Sequence, residues 1–221
     1  MRQLLTPAQL TVQTETRLNN VDMGLQQMAS LVAVCLTHER EGFTQPLSLN
    51  SLLTMSQLQE RLLPVLSPAV ASRVRWLDDP ENPNQPINCN PALIAIAVRN
   101  LIENACRYDT TGNTVDVTLA SHHPTAPHTG PATVSMAVLD QGPGLEPSQV
   151  VHLFEPFIRG PGNAPVGTPA EAVADPLPQG LGLGLYIVQR IAGMHGAQVN
   201  WAPRDGGGSI FTLTLVPDER K

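Results

Sequence analysis

The order of apolar and polar positions divides the chain into helical and extended stretches. From Thr6 to about His38, Leu10, Leu18, Val21, Leu25, Met28, Leu31, Val32 and Cys35 recur at spacings of three and four, with no proline after Pro7. That period predicts an amphipathic helix, with Thr6 as cap and Pro7 in the first helical position. A second helical pattern runs from Ser48 to Leu66 through Leu52, Leu53, Leu58, Leu62 and Leu63. Val70 to Trp76 reads as a short strand, and Asp78 to Pro86 as a proline-rich break. Pro91 to Arg107 carries Leu93, Ile94, Ala97, Val98, Leu101, Ile102 and Ala105 on one broad face, which predicts a core helix.

After that helix the period changes to two. Val115, Val117 and Leu119 alternate, as do Val134, Met136 and Val138, giving two strands that flank a polar loop from Ser121 to Gly130. Helical spacing returns from Leu183 to His195 through Leu185, Val188, Ile191 and Ala192. Gln198 to Trp201 and Ser209 to Val216 close the chain as strands around Gly206, Gly207 and Gly208. Helices and strands mixed in this way predict an α+β sandwich.

Composition narrows the picture. Of 221 residues, 42% are hydrophobic but only 4% aromatic, so the core is built from Leu, Val, Ile and Ala. The formal net charge is −6 and basic residues do not cluster, which argues against a nucleic-acid surface. Cys35, Cys89 and Cys106 form no C-x-x-C pair, and Cys106 falls in an apolar helical pattern, so the compartment reads as reducing. No apolar run reaches the roughly 18 residues of a membrane span, and the start lacks signal-peptide order. The expectation is a soluble, cytoplasmic chain. Gly160 to Gln179 is dominated by Gly, Pro and Ala and contains no basic residue, a composition that suits a mobile lid.

Three stretches carry chemistry. In N-L-I-E-N-A-C-R-Y, Asn100, Asn104, Arg107 and Tyr108 share one helix face. Two amides, a guanidinium and a phenol there suit a polar ligand, since carboxamide oxygens bind Mg²⁺ and arginine meets phosphate; they equally suit a solvated face. D-Q-G-P-G follows a strand, so Asp140 can accept from an exocyclic amine such as adenine's, and Gly142 and Gly144 admit a ligand close to the backbone. The same letters also make an ordinary turn. G-L-G-L-G-L, comprising Gly180, Leu181, Gly182, Leu183, Gly184 and Leu185, opens a helix whose first amides can face an anion such as a triphosphate. It is not a Rossmann fingerprint, because its glycines alternate and no βαβ unit precedes it.

In order, Asn100 to Tyr108, Asp140 to Gly144, Phe154-Glu155-Pro156-Phe157, Gly180 to Gly184 and Gly206 to Gly208 resemble the N, G1, F, G2 and G3 boxes of sensor histidine kinases. The resemblance covers about Pro91 to Val216. It implies the Bergerat-type (GHKL) two-layer α/β sandwich, a mixed sheet covered by helices on one face. It implies that Asn104 holds Mg²⁺ on the ATP phosphates with Asn100 beside it, and that Arg107 and Tyr108 contact phosphate and nucleoside. By the same resemblance Asp140 reads adenine, and Phe154 and Phe157 anchor the lid. Arg159 and Gln179 reach toward the terminal phosphate, and Gly180, Gly182 and Gly184 form the phosphate loop. Gln141 stands where asparagine is commoner. The implied reaction passes the γ-phosphate of ATP to a histidine and on to an aspartate of a response regulator.

The resemblance weakens toward the start. The family's H-E-x-R-S/T-P box, which carries the phosphoacceptor histidine, is met only by R-Q-L-L-T-P, with Arg2 and Gln3 in the positions of the histidine and its acidic neighbour. Too little chain lies between Asn19 and Ser30 for the family's two-helix hairpin. His38 in T-H-E-R-E lies at the far end of the helical segment and reads as an exposed residue. Residues 1–42 therefore read as a remnant of the dimerisation and phosphoacceptor region, and residues 43–221 as the ATP-binding domain with its lid at about 158–179. Two alternatives stand: a piece of a longer membrane receptor, or a chain that keeps nucleotide binding, as a catalytically silent interaction module, without autophosphorylation. A further one is another GHKL ATPase, such as a serine-directed kinase or a chaperone-like ATPase, against which F-E-P-F-I-R-G and the abbreviated helix argue. The partners implied are ATP, a response regulator, a histidine-bearing hairpin of the parent kinase and a second copy of that parent in its inner membrane.

Overall fold

The computed structural model describes residues 24–32, 34, 51–78, 87–109, 111–122, 133–158 and 181–215. Residues 24–32 are helical (α1) and Val34 beyond them is buried in the core. The rest of the predicted first helix, with Arg2, Gln3 and His38, lies outside the described residues.

The second helical pattern is part strand. β1 (Ser51–Leu53) precedes α2 (Met55–Leu62), because Thr54 and Gln57 form a reciprocal capping box that starts the helix only there. Val70 is not in a strand either. Ser67 caps the short α3 (Pro68–Ala71), with Pro68 in its first turn, and β2 (Val74–Leu77) begins three residues later. Past the proline-rich break, β3 (Ile87–Cys89) pairs antiparallel with β1.

α4 (Pro91–Tyr108) is the central helix. Asn90 caps it through Oδ1, which accepts the amides of Ala92 and Leu93. The Asn90 amide in turn donates to Nε2 of His195, and Nδ1 of that ring lies 2.7 Å from the carbonyl of Ile191. A main-chain amide can only donate and a carbonyl only accept, so His195 is the neutral tautomer protonated on Nδ1. The remaining elements are β4 (Val115–His122), β5 (Thr133–Leu139), α5 (Pro147–Val150), α6 (Gly184–Met194), β6 (Gln198–Pro203) and β7 (Ser209–Leu215).

Five strands form one sheet in the order β2-β4-β5-β7-β6, with β2 parallel to β4 and the other pairs antiparallel. Register aligns Trp76, Val117, Val138, Phe211 and Trp201 in one row, and Leu119, Met136, Leu213 and Val199 in another. These rows share the face covered by α4 and α6, whose Ile94, Leu101, Ile102, Ile187 and Ile191 are fully buried. Each such side chain contributes about 2 kcal/mol on removal from water. Cys89 is buried in this core, and burial pushes its thiol up to about 12 despite the opposing charge of Arg61. Among the described residues both Cys89 and Cys106 are free thiols.

Candidate functional site

Asp140 sits where β5 ends, and nearly every polar atom it has is fixed. Its amide donates to the carbonyl of Ser209 at 3.0 Å, and its Oδ1 accepts the amides of Gly142 at 2.9 Å and Ser209 at 3.0 Å. Its carbonyl accepts a guanidinium hydrogen from Arg204 at 3.1 Å. Burial pushes the Asp140 carboxyl above its ordinary value, and the charge of Asp109 adds to this. The amides of Gly142 and Ser209 and the charge of Arg204 pull the other way. Among the described residues Oδ2 accepts no hydrogen bond, which makes it the oxygen that could accept one from a ligand.

The glycines around it are needed for close approach. A Cβ on Gly208, whose φ is +107°, would lie 2.2 Å from the Asp140 carbonyl oxygen. One on Gly142 would meet both Asp140 Oδ1 and the carbonyl of Tyr108 at 3.2 Å. The turn after Asp140 is thus wedged between the end of α4 and the β6–β7 turn, and the two glycine boxes predicted on either side interlock through their backbones.

On α4, Asn100 is buried and its Nδ2 donates to the carbonyl of Ile96 at 2.8 Å. Its Oδ1 faces α6, where a Cβ on Gly184 would come within 3.2 Å. Asn104 and Arg107 are half-buried and Tyr108 is exposed. Arg73 secures the end of this helix: its guanidinium donates to the carbonyls of Cys106, Asp109 and Asn113 and to the Asp109 carboxylate at 3.0 Å. Burial pushes Asp109 up, but bonds from the Thr111 hydroxyl and amide, with Arg73, leave it below its ordinary value.

The third stretch lies across from this helix. Gly182, at φ +71°, accepts the amide of Phe157 at 2.9 Å, and a Cβ there would lie 2.7 Å from the Ile158 carbonyl oxygen. Phe157 itself adopts a φ of +66°, which a non-glycine residue holds only under constraint. Its ring is exposed, whereas Phe154 packs against the core. Leu183 starts α6 with no side-chain cap, so the helix start keeps free amide capacity. The Leu181 amide instead donates to Oε1 of the buried Gln27 on α1 at 2.9 Å. Leu185 lies in the first turn of α6. Arg159, Gln179 and Gly180 lie outside the described residues.

The fold thus brings Tyr108, Asp140, Gly142, Gly144 and Gly208 together, and separately Asn100 with Gly184, and Phe157 with Gly182. Sequence reasoning missed Gln27, Arg73, Asp109 and Arg204. None of these is marked by a local pattern; Arg204 comes nearest, two residues before the triple glycine. Among the described residues no three His, Cys, Asp or Glu side chains gather as a metal cluster, and no helix is long and apolar enough to cross a membrane.

A two-layer domain with a buried carboxylate at a strand end, glycines packed against it and a glycine-started helix has the architecture of a nucleotide-binding ATPase fold. The chain belongs to the histidine kinase-, DNA gyrase B-, and HSP90-like ATPases, whose family model matches residues 89–219. Within that family its likeness is to sensor histidine kinases, and the matched stretch is their ATP-binding catalytic domain. It is 37% identical over 118 residues to the sensor protein QseC of Salmonella typhi, covering 53% of this chain and 21% of that protein. The chain therefore spans about a fifth of the length of that curated relative. Among solved structures, it resembles the mycobacterial sensor histidine kinase MprB with a TM-score of 0.52 at 22% identity, covering 75% of this chain and 96% of that one. It also resembles full-length ShkA in complex with AMPPNP, with a TM-score of 0.57 at 19% identity, covering 96% of this chain and 40% of that one. These two likenesses establish the mixed-sheet α+β fold.

Proposed function

We propose that this domain binds Mg-ATP between α4 and the glycine-started α6 and delivers its γ-phosphoryl group to a histidine on another segment or chain. Support comes above all from Asp140, a buried carboxylate whose main chain and Oδ1 are tied down while Oδ2 is left to accept the adenine amine. Gly142 and Gly144 let the base approach. Arg107 and Tyr108 contact phosphate and nucleoside, and Asn100 braces α4 against Gly184. Gly180, Leu181, Gly182, Leu183, Gly184 and Leu185 surround the phosphates, with Phe157, Arg159 and Gln179 at the lid. Asn104 offers one carboxamide oxygen, which suits a magnesium ion that arrives on phosphates and keeps several waters. When bound, that ion neutralises phosphate charge; the protein supplies positioning.

In the transfer the bond from γ-phosphorus to the ADP oxygen breaks and one to an imidazole nitrogen forms. The phosphohistidine then serves an aspartate on a response regulator. The acceptor belongs to a helical hairpin of a dimeric parent kinase in the bacterial inner membrane, with residues 43–221 facing the cytoplasm and residues 1–42 as the shortened link.

Calorimetry with ATP, followed by transfer of labelled phosphate to a supplied histidine-bearing hairpin, tests this. The expected result is Mg²⁺-dependent binding with transfer. Binding without transfer would point instead to a catalytically silent module, and unchanged ATP affinity in Asp140→Asn would remove the nucleotide reading.

A further inference from the structure

Arg204 follows β6 and lies within the tight turn to β7, where its main chain is already satisfied: its amide donates to the Gly208 carbonyl at 3.2 Å and its carbonyl accepts from Gly207 at 3.0 Å. Its side chain therefore adds nothing the turn lacks. It reaches across instead, donating from one nitrogen to the Asp140 carbonyl at 3.1 Å and from another to Asp116 Oδ2 at 3.3 Å.

Asp116 is buried on β4 and is already paired with Arg75, which donates to both its oxygens at 2.8 and 3.0 Å. Its charge is met without Arg204. Among the described residues, the Asp140 carbonyl oxygen is hydrogen-bonded by Arg204 alone. A planar guanidinium can bridge two acceptors in fixed geometry, which a lysine ammonium does less well.

We propose that Arg204 is a positioning residue for nucleotide-base selection: Asp116 aims its guanidinium, which clamps the Asp140 main chain so that Oδ2 is presented to the exocyclic amine of the base. This rests on the reading of Asp140 as the adenine acceptor. The groups whose charge acts on Asp140 are Asp109 and Arg204; Arg204 lowers its carboxyl pKa, while burial and Asp109 raise it. Arg204 therefore also widens the pH range over which Asp140 is ionised.

The test measures affinities of the full chain for ATP and for inosine triphosphate, which carries a 6-oxo group in place of the amine. Arg204→Met should weaken ATP by about tenfold, the worth of a charge-assisted bond, while leaving inosine triphosphate nearly unchanged, so that the preference collapses. Its ATP-binding profile should lose affinity at higher pH than the wild type on the acid side. Arg204→Lys should recover part of the preference, and Arg75→Met, which touches Asp116 alone, should leave it intact. If Arg204→Met fails to fold, Asp116→Asn reports instead, through the same loss of preference. An unchanged preference in the folded Arg204→Met or in Asp116→Asn would overturn the proposal. Asp140→Asn separates the two levels: an unchanged preference there sinks the adenine reading itself, whereas its collapse beside an intact Arg204→Met sinks the role of Arg204 alone.

Discussion

Oε1 of Gln27 accepts the main-chain amide of Leu181 at 2.9 Å, so α1 holds one donor of the glycine stretch that opens α6. A second tie, from the Arg99 guanidinium to the Ser30 hydroxyl at 3.2 Å, keeps α1 in place. A phosphate that takes the Leu181 amide must displace Gln27. Gln27→Ala is expected to raise ATP affinity about fivefold, the net worth of one hydrogen bond. Gln27→Glu is expected to lower it by placing an anion beside the phosphates. Titration calorimetry checks both, and equal affinities across the three proteins would disconnect α1 from the nucleotide.

Asp140 should show opposite effects on stability and on binding. Its folded-state pKa is raised, so the group favours folding only while protonated, and that contribution disappears as pH rises through the raised value. At neutral pH the buried carboxylate is a cost. Asp140→Asn keeps an oxygen for the amides of Gly142 and Ser209 but carries no charge. The nucleotide-free variant should therefore melt at a higher temperature than the wild type near pH 7 while binding ATP more weakly. Thermal scans at pH 7 and pH 4 check the sign, because the gain should shrink at the lower pH.

Three consecutive glycines should tolerate alanine unequally. Gly206 has a φ of +85° with nothing within 4 Å of an added Cβ, so Gly206→Ala costs only the left-handed backbone, about 1–2 kcal/mol. At Gly208 the added carbon would lie 2.2 Å from the Asp140 carbonyl oxygen, and backbone must move. Gly208→Ala should therefore abolish nucleotide binding where Gly206→Ala preserves it, as read by urea unfolding and ATP titration on both.

The pair of Arg73 and Asp109 should govern acid stability. Asp109 has a lowered pKa, so its contribution is present above the ordinary carboxylate value and is lost as pH falls through the lowered one. Arg73→Met strands a buried carboxylate and is expected to cost about 3 kcal/mol at pH 7. Urea unfolding from pH 7 down to pH 2 should show the difference between variant and wild type shrinking as Asp109 becomes protonated.

What could be read from the sequence follows the range of the forces involved. α4, β4, β5, α6 and β7 announce themselves because each buries a face with its own period over seven residues or more. β1 and β3 do not, since three residues carry no period and each exists only by pairing with the other across the break. Val70 misled because its neighbours alternate like a strand, while the Ser67 cap and Pro68 start a helical turn. At the candidate site, Asp140, Gly142 and Gly144 stand within five residues and read together, whereas Gly208, which packs on the Asp140 carbonyl, stands far along the chain. The ties from Arg73 to Asp109, Arg204 to Asp116 and Gln27 to Leu181 span 36, 88 and 154 residues, and no local pattern marks their ends.

Helix α4 is fastened at both ends, by His195 through Asn90 and by Arg73 through Asp109, and the turn carrying Asp140 is wedged against it. The opposite side is built differently: Phe157 keeps a left-handed backbone against Gly182, and the neighbouring Leu181 amide rests on a borrowed acceptor. On the proposed reading, a nucleotide would meet one side that is tied down and one whose donor must first be released. The base would be compared with a fixed template and the phosphate tail with replaceable contacts, so recognition of the nucleoside and response to its phosphorylation state would be divided between the two sides.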